Sequence, residues 1–130
     1  DIAKTVEFDV GETGIASGYT VEGNLIGHLV MGAMMVKEAA VKLSVDNEKS
    51  LLLQHMIISH HGEPEFGAAV RPLFLEAELL SELDSMDAKV YEIMDAVSNV
   101  EKGEFTNRLW ALDDRKFYKY NDATLKVDIL

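Results

Sequence analysis

The sequence predicts an all-α helical bundle, on two observations. Apolar residues recur at helical spacing in three long stretches, and no stretch shows the apolar and polar alternation of a half-buried strand. A fourth, shorter helical segment is expected at the start, where Asp1 to Lys4 reads as the end of a helix.

From there to Tyr19 the glycines Gly11, Gly14 and Gly18 interrupt any period, and a loop is expected. Thr20 then precedes Glu22 and Gly23, and Leu25, Leu29, Gly32, Met35 and Val36 keep the period of one amphipathic helix running to about Leu43. His28 lies beside its inward stripe. Asp46 has the chemistry of an N-cap, with Leu52, Leu53, Met56 and Ile57 behind it, and Gly62 is placed to end that helix. His60 and His61 are thereby expected at a helix C-terminus. After a loop holding both prolines, Leu75, Leu79, Leu80, Leu83, Met86, Val90 and Met94 carry the longest helix to about Val97. Phe105, Leu109, Trp110 and Leu112 are expected in a final irregular or extended segment that buries its aromatic rings against the helices. No repeat, low-complexity tract or linker divides the 130 residues, so one domain is the expectation.

Composition narrows the chemistry. With no cysteine, disulfides and thiolate metal sites are excluded, and a metal must be held by His, Asp and Glu. Twelve Lys plus Arg against twenty-three Asp plus Glu give a formal net charge of -11, which opposes broad attraction to a polyanion but suits a site for divalent cations. No signal-like segment is visible, and the apolar run from Leu25 to Val36 falls short of the roughly 20 residues that span a bilayer. A soluble, cytoplasmic protein with no membrane partner is expected.

His28 by itself reads more readily as a hydrogen-bonded core or surface residue than as a ligand. The pair His60 and His61 says more. Adjacent helical side chains point about 100° apart, so both reach one site only where the helix ends and the chain turns, as Gly62 would make it do. His55 has no such setting and reads as structural or exposed. Asp84, flanked by Leu80, Leu83 and Met86, needs a cation or donor if it is buried; alternatively, it and Asp87 mark a solvated helix face. Gly11 to Gly18 is not a phosphate loop, since the Gly-Lys-Ser/Thr ending is missing. Ser59 beside His60 does not make a serine nucleophile, because neighbouring helical residues do not face each other.

Several strings carry a family resemblance. Asp1-Ile2-Ala3-Lys4 resembles the His-Asp-Ile-Gly-Lys signature of HD-domain phosphohydrolases, beginning at its Asp. The segment from Tyr19 to His28, the segment from His55 to Gly62, Glu65-Phe66-Gly67, the Asp84 to Ala88 stretch, and the stretches from Gly103 to Thr106 and Leu112 to Tyr118 are similar, in order, to YhaM-type 3′ to 5′ exoribonucleases. Ala3 and Ala68 stand where that pattern has Gly and Ser.

The resemblance implies that the chain is the C-terminal portion, residues 1–130, of a single HD domain, an N-terminally truncated helical bundle. It implies a metal set of Asp1, His28, His60, His61 and Asp84, with Lys4 placed near the substrate phosphate or attacking water and Asp87 outside the ligand set. Two divalent ions, manganese above all, with cobalt or another transition metal as substitutes, are implied as cofactors. The activity implied is release of nucleoside 5′-monophosphates from single-stranded RNA, with DNA as a further substrate, delivered by an OB-type domain preceding this segment. Another HD hydrolase acting on nucleotides, and a non-catalytic nucleotide- or partner-binding HD module, are the alternatives. The segment alone is expected to bind metal weakly, to have little activity, and to leave apolar faces open to self-association as a homo-oligomer.

Overall fold

Helices dominate the computed structural model, which describes residues 1–121. The chain forms two compact units, Asp1 to Asp84 and the part from Ser85 onward. The first begins with a single helical turn, α1 (Lys4–Glu7), followed by two short antiparallel strands, β1 (Phe8–Val10) and β2 (Ala16–Tyr19). Phe8 pairs with Tyr19 and Asp9 with Gly18, and the Phe8 and Tyr19 rings lie 4.7 Å apart.

This hairpin corrects the expected loop, and with it the expectation of a wholly helical chain. A three-residue strand paired with a wholly exposed one has no alternation to display, so the glycines dominate the local pattern.

Thr20 caps α2 (Val21–Leu25), its hydroxyl accepting from the Gly23 N–H. The expected continuous helix then breaks at Gly27, whose φ of 76° lies outside the right-handed helical region, and a new helix, α3 (His28–Lys42), starts. His28 therefore stands at the first position of a helix rather than in the middle of one. Helix α4 (Asn47–Ser59) opens on Asp46, whose carboxylate accepts from the Glu48 and Lys49 N–H groups as expected. It ends at His60, with Gly62 at φ 76° turning the chain away.

Helices α3 and α4 pack closely because Gly32 has no side chain: a Cβ there would lie 3.2 Å from Ile57 Cγ2 and 3.8 Å from Ala3 Cβ. Among the described residues the buried hydrophobic set is mostly small, namely Ala3, Ala40, Ala68 and Ala77 together with Leu29 and Leu112, while Val30, Met34, Leu51 and Leu53 stay exposed.

Helix α5 (Leu75–Ser98) runs from the first unit into the second. Gly62 lets it pass close to the turn after α4, since a Cβ on Gly62 would lie 2.9 Å from Ser81 Oγ. Within the second unit the chain after α5 is irregular, pinned by bridges between Phe105 and Tyr118 and between Leu109 and Arg115. Leu112 is buried there, but Phe105 is exposed and Trp110 is 88% exposed, so the expected burial of these aromatic rings is not realised. Among the described residues no helix is long and apolar enough to cross a membrane.

Candidate metal centre

The local folding of α1 to α4 delivers four side chains to one place. Asp1, His28, His60 and His61 each offer a ligand atom, and these atoms all lie within 4.8 Å of one another. Their imidazole rings are mutual neighbours: ring centres are 4.4 Å apart for His60 and His61, 5.2 Å for His28 and His61, and 6.3 Å for His28 and His60.

Each ring is held by an oxygen at Nδ1. His28 Nδ1 lies 3.0 Å from Glu7 Oε1, His60 Nδ1 lies 2.7 Å from the Ile57 carbonyl, and His61 Nδ1 lies 2.9 Å from the Phe66 carbonyl. Carbonyl and carboxylate oxygens only accept, so Nδ1 must be the donor in each ring. A neutral imidazole so tethered keeps its lone pair on Nε2. His60 then turns that lone pair toward Asp1 Oδ1, 3.2 Å away. His28 Nε2 is buried without a hydrogen-bond partner although it lies 3.4 Å from the same oxygen, a distance compatible with charge attraction but without hydrogen-bond geometry. Acceptors converging without donors between them require a proton or a metal cation, and metal-bound histidines usually carry just such an acceptor on the other nitrogen. The donor set therefore fits a divalent transition metal.

Glu7, which sequence reasoning missed, organises His28. It is 5% exposed, and its Oε1 accepts from both the His28 backbone N–H and the His28 ring, serving as the missing cap of α3. Burial works to raise its pKa, but the two hydrogen bonds from His28, aided by the positive charge of Lys4, hold it below the usual carboxylate range. An ionised Glu7 keeps the His28 Nδ1 proton in place. Nothing in a lone glutamate six residues after Asp1 signals this role, because the contact forms only when α1 meets the start of α3.

His61 is held below the ordinary imidazole range, first by desolvation and then by the neighbouring His60, against the opposing pull of the Phe66 carbonyl and of Asp84. That favours the neutral form a metal ligand needs.

The other sequence candidates fall into place around this group. Lys4 Nζ is 2.6 Å from Asp1 Oδ2, on the exposed side of the carboxylate. Asp84 is exposed on α5 and outside the four-residue group, though near enough to act on His61 through its charge. Burial among leucines does not explain it, since Leu80, Leu83 and Met86 are themselves exposed. His55 is structural, as expected: its Nε2 accepts from the Leu73 N–H at 3.1 Å and its ring lies against Phe74. Ser59 is fully buried and donates to the His55 carbonyl, so it is no nucleophile.

Glu7→Gln keeps the shape of the side chain but removes the charge that fixes the His28 tautomer. Metal affinity, measured by calorimetry on the whole protein, should fall by about 10- to 100-fold, whereas unchanged affinity would mean that His28 is not a ligand.

The chain is similar to proteins named 3′-5′ exoribonuclease YhaM. It is 46% identical to that of Bacillus licheniformis, and 44% identical to those of Bacillus pumilus and Bacillus subtilis. This is homology. Each alignment covers 105 residues, 81% of this chain and 33% of the relative, so the chain spans about a third of the length of the curated relatives it matches. No protein-family model matches it, and no solved structure does.

Proposed function

We propose that Asp1, His28, His60 and His61 hold divalent metal, and that the whole protein to which this homologue of YhaM exoribonucleases belongs is a metal-dependent 3′ to 5′ exoribonuclease. The observation that carries the reading is the set of three imidazoles whose Nδ1 atoms are committed to oxygens, leaving Nε2 of His28 and His60 facing one carboxylate without a donor. Nuclease relatives supply the substrate class.

On this reading, residues 1–130 are the C-terminal portion of an HD domain, and Asp84 completes the ligand set as its side chain swings toward His61. Two ions, manganese foremost, with cobalt or another transition metal as substitutes, would polarise phosphate oxygens and activate water. Lys4 would then hold a fixed positive charge where charge develops on the phosphate, and its ion pair with Asp1 keeps the ammonium at that place. Nucleoside 5′-monophosphates are the products. Single-stranded RNA, with DNA as a further substrate, would be gathered by an OB-type domain elsewhere in the protein, which explains how so acidic a segment can serve a polyanion. The exposed apolar faces suit contact with that remainder or a homo-oligomer, and the working compartment would be the cytoplasm.

The test uses the whole protein, manganese and a 5′-labelled single-stranded RNA. Stepwise shortening with mononucleotide release, abolished by a chelator, is expected, and Asp84→Asn should lower both metal content and rate far more than Asp87→Asn. Hydrolysis of free nucleotides without RNA shortening would assign the site to another phosphohydrolase. Equal losses in the two variants at unchanged metal content would remove Asp84 from the ligand set.

A further inference from the structure

Beside the imidazoles runs a groove of about 290 Å³, lined by Glu7, Ile26, His28, Val30, His61 and Phe66 among others. Phe66 is the largest side chain lining it, and folding leaves it 74% exposed. Its backbone is nonetheless fixed on both sides. Its N–H donates to the Glu63 carbonyl at 3.0 Å, its carbonyl accepts from His61 Nδ1 at 2.9 Å, and Gly67, at φ 96°, closes the turn by donating to Pro64. The ring is thus displayed from a rigid 3₁₀ turn (Pro64–Phe66) whose own carbonyl orients a candidate ligand.

A phenyl ring left in water gives up the stabilisation that its burial would contribute. It brings neither charge nor hydrogen bond to a metal site. What it offers is a flat apolar face, and the groove adds the apolar side chains of Ile26 and Val30. We infer that Phe66 is the platform on which the 3′-terminal nucleobase of the RNA stacks, holding the last phosphodiester over the imidazole and carboxylate cluster. The inference rests on the reading of the site as an RNA phosphodiesterase. Stacking uses the π-face that every base possesses, so the platform accepts all four bases.

The test compares RNA with an ordinary 3′-terminal nucleotide and RNA with an abasic one, using the whole protein with manganese and its Phe66→Ala, Phe66→Leu and Phe66→Trp variants. On ordinary RNA, Phe66→Ala and Phe66→Leu should lower kcat/KM by about 5- to 150-fold, the range for losing one stacked base. Phe66→Trp should retain activity, and manganese content and thermal unfolding should be unchanged in all three. The abasic end should slow the wild type by a similar factor and Phe66→Ala hardly at all. A merely structural role predicts rescue by leucine, and that result would overturn the platform. So would a Phe66→Ala protein that matches the wild type, or one that still discriminates against the abasic end. A wild type that cleaves no RNA would instead overturn the underlying reading together with the platform.

Discussion

His60→Ala in the whole protein should abolish stoichiometric manganese binding and RNA hydrolysis together, with a loss in metal affinity greater than about 100-fold. The bound follows from comparison: disturbing a group that merely orients a ligand costs about 10- to 100-fold, and removing the ligand costs more. Two effects must be separated, because His60 is also buried and its Nδ1–H satisfies the Ile57 carbonyl. Leaving that carbonyl unpaired costs about 1–3 kcal/mol of stability. His55→Ala supplies the control, since it removes an imidazole that packs on Phe74 and accepts from the Leu73 N–H but touches no candidate ligand. Metal analysis and thermal unfolding on both variants decide the matter: both should lose stability, and only His60→Ala should lose metal. A His60→Ala protein that retains manganese, or a His55→Ala protein that sheds it, contradicts the centre described above.

Gly23→Ala should destabilise the fold by about 1–3 kcal/mol, against the ordinary trend for such a change. Replacing a helical glycine by alanine normally gains up to about 1 kcal/mol. Here a Cβ would overlap the backbone carbonyl of Glu7, and a main-chain atom cannot rotate away as the end of a side chain can. The same carbonyl accepts from the Thr20 N–H and hydroxyl, so it is tied to the cap of α2 and has little freedom to retreat. Overpacking of this kind costs about 1–3 kcal/mol, which exceeds the propensity gain. Because Glu7 carries His28, metal affinity should fall with stability. Gly32→Ala offers a comparison: its Cβ would stand 3.2 Å from a movable isoleucine methyl group, and the milder loss should leave the metal in place. A neutral or stabilising Gly23→Ala, read from the unfolding midpoint, would show that α2 shifts freely over α1.

Much of the helical framework was legible because its signals are local. Asp46 before a run of apolar residues at helical spacing, and Gly62 after it, bracket α4 through capping chemistry that involves only neighbours in the chain. The periodic leucines of α5 likewise mark its extent within a residue or two. The pairing of β1 with β2 was not legible, since its three residues opposite four exposed ones carry too little pattern. Nor was the break before His28, because Gly27 in a run of helical spacing gives no sign that its φ will be positive.

The candidate centre divides along the same line. From residue types and spacing came the exclusion of cysteine ligands, the importance of adjacent histidines at a helix end, and the structural role of His55; the wider ligand set came with the family resemblance. Only the tertiary structure brought Asp1, His28, His60 and His61 within 4.8 Å, left Asp84 exposed outside them, and placed Glu7 behind His28. The reason is physical. A cap or a helical period is an interaction between residues a few positions apart, whereas the Nδ1 partner that settles a tautomer can lie twenty-one residues away, as Glu7 does from His28, and exists only once α1 and α3 meet.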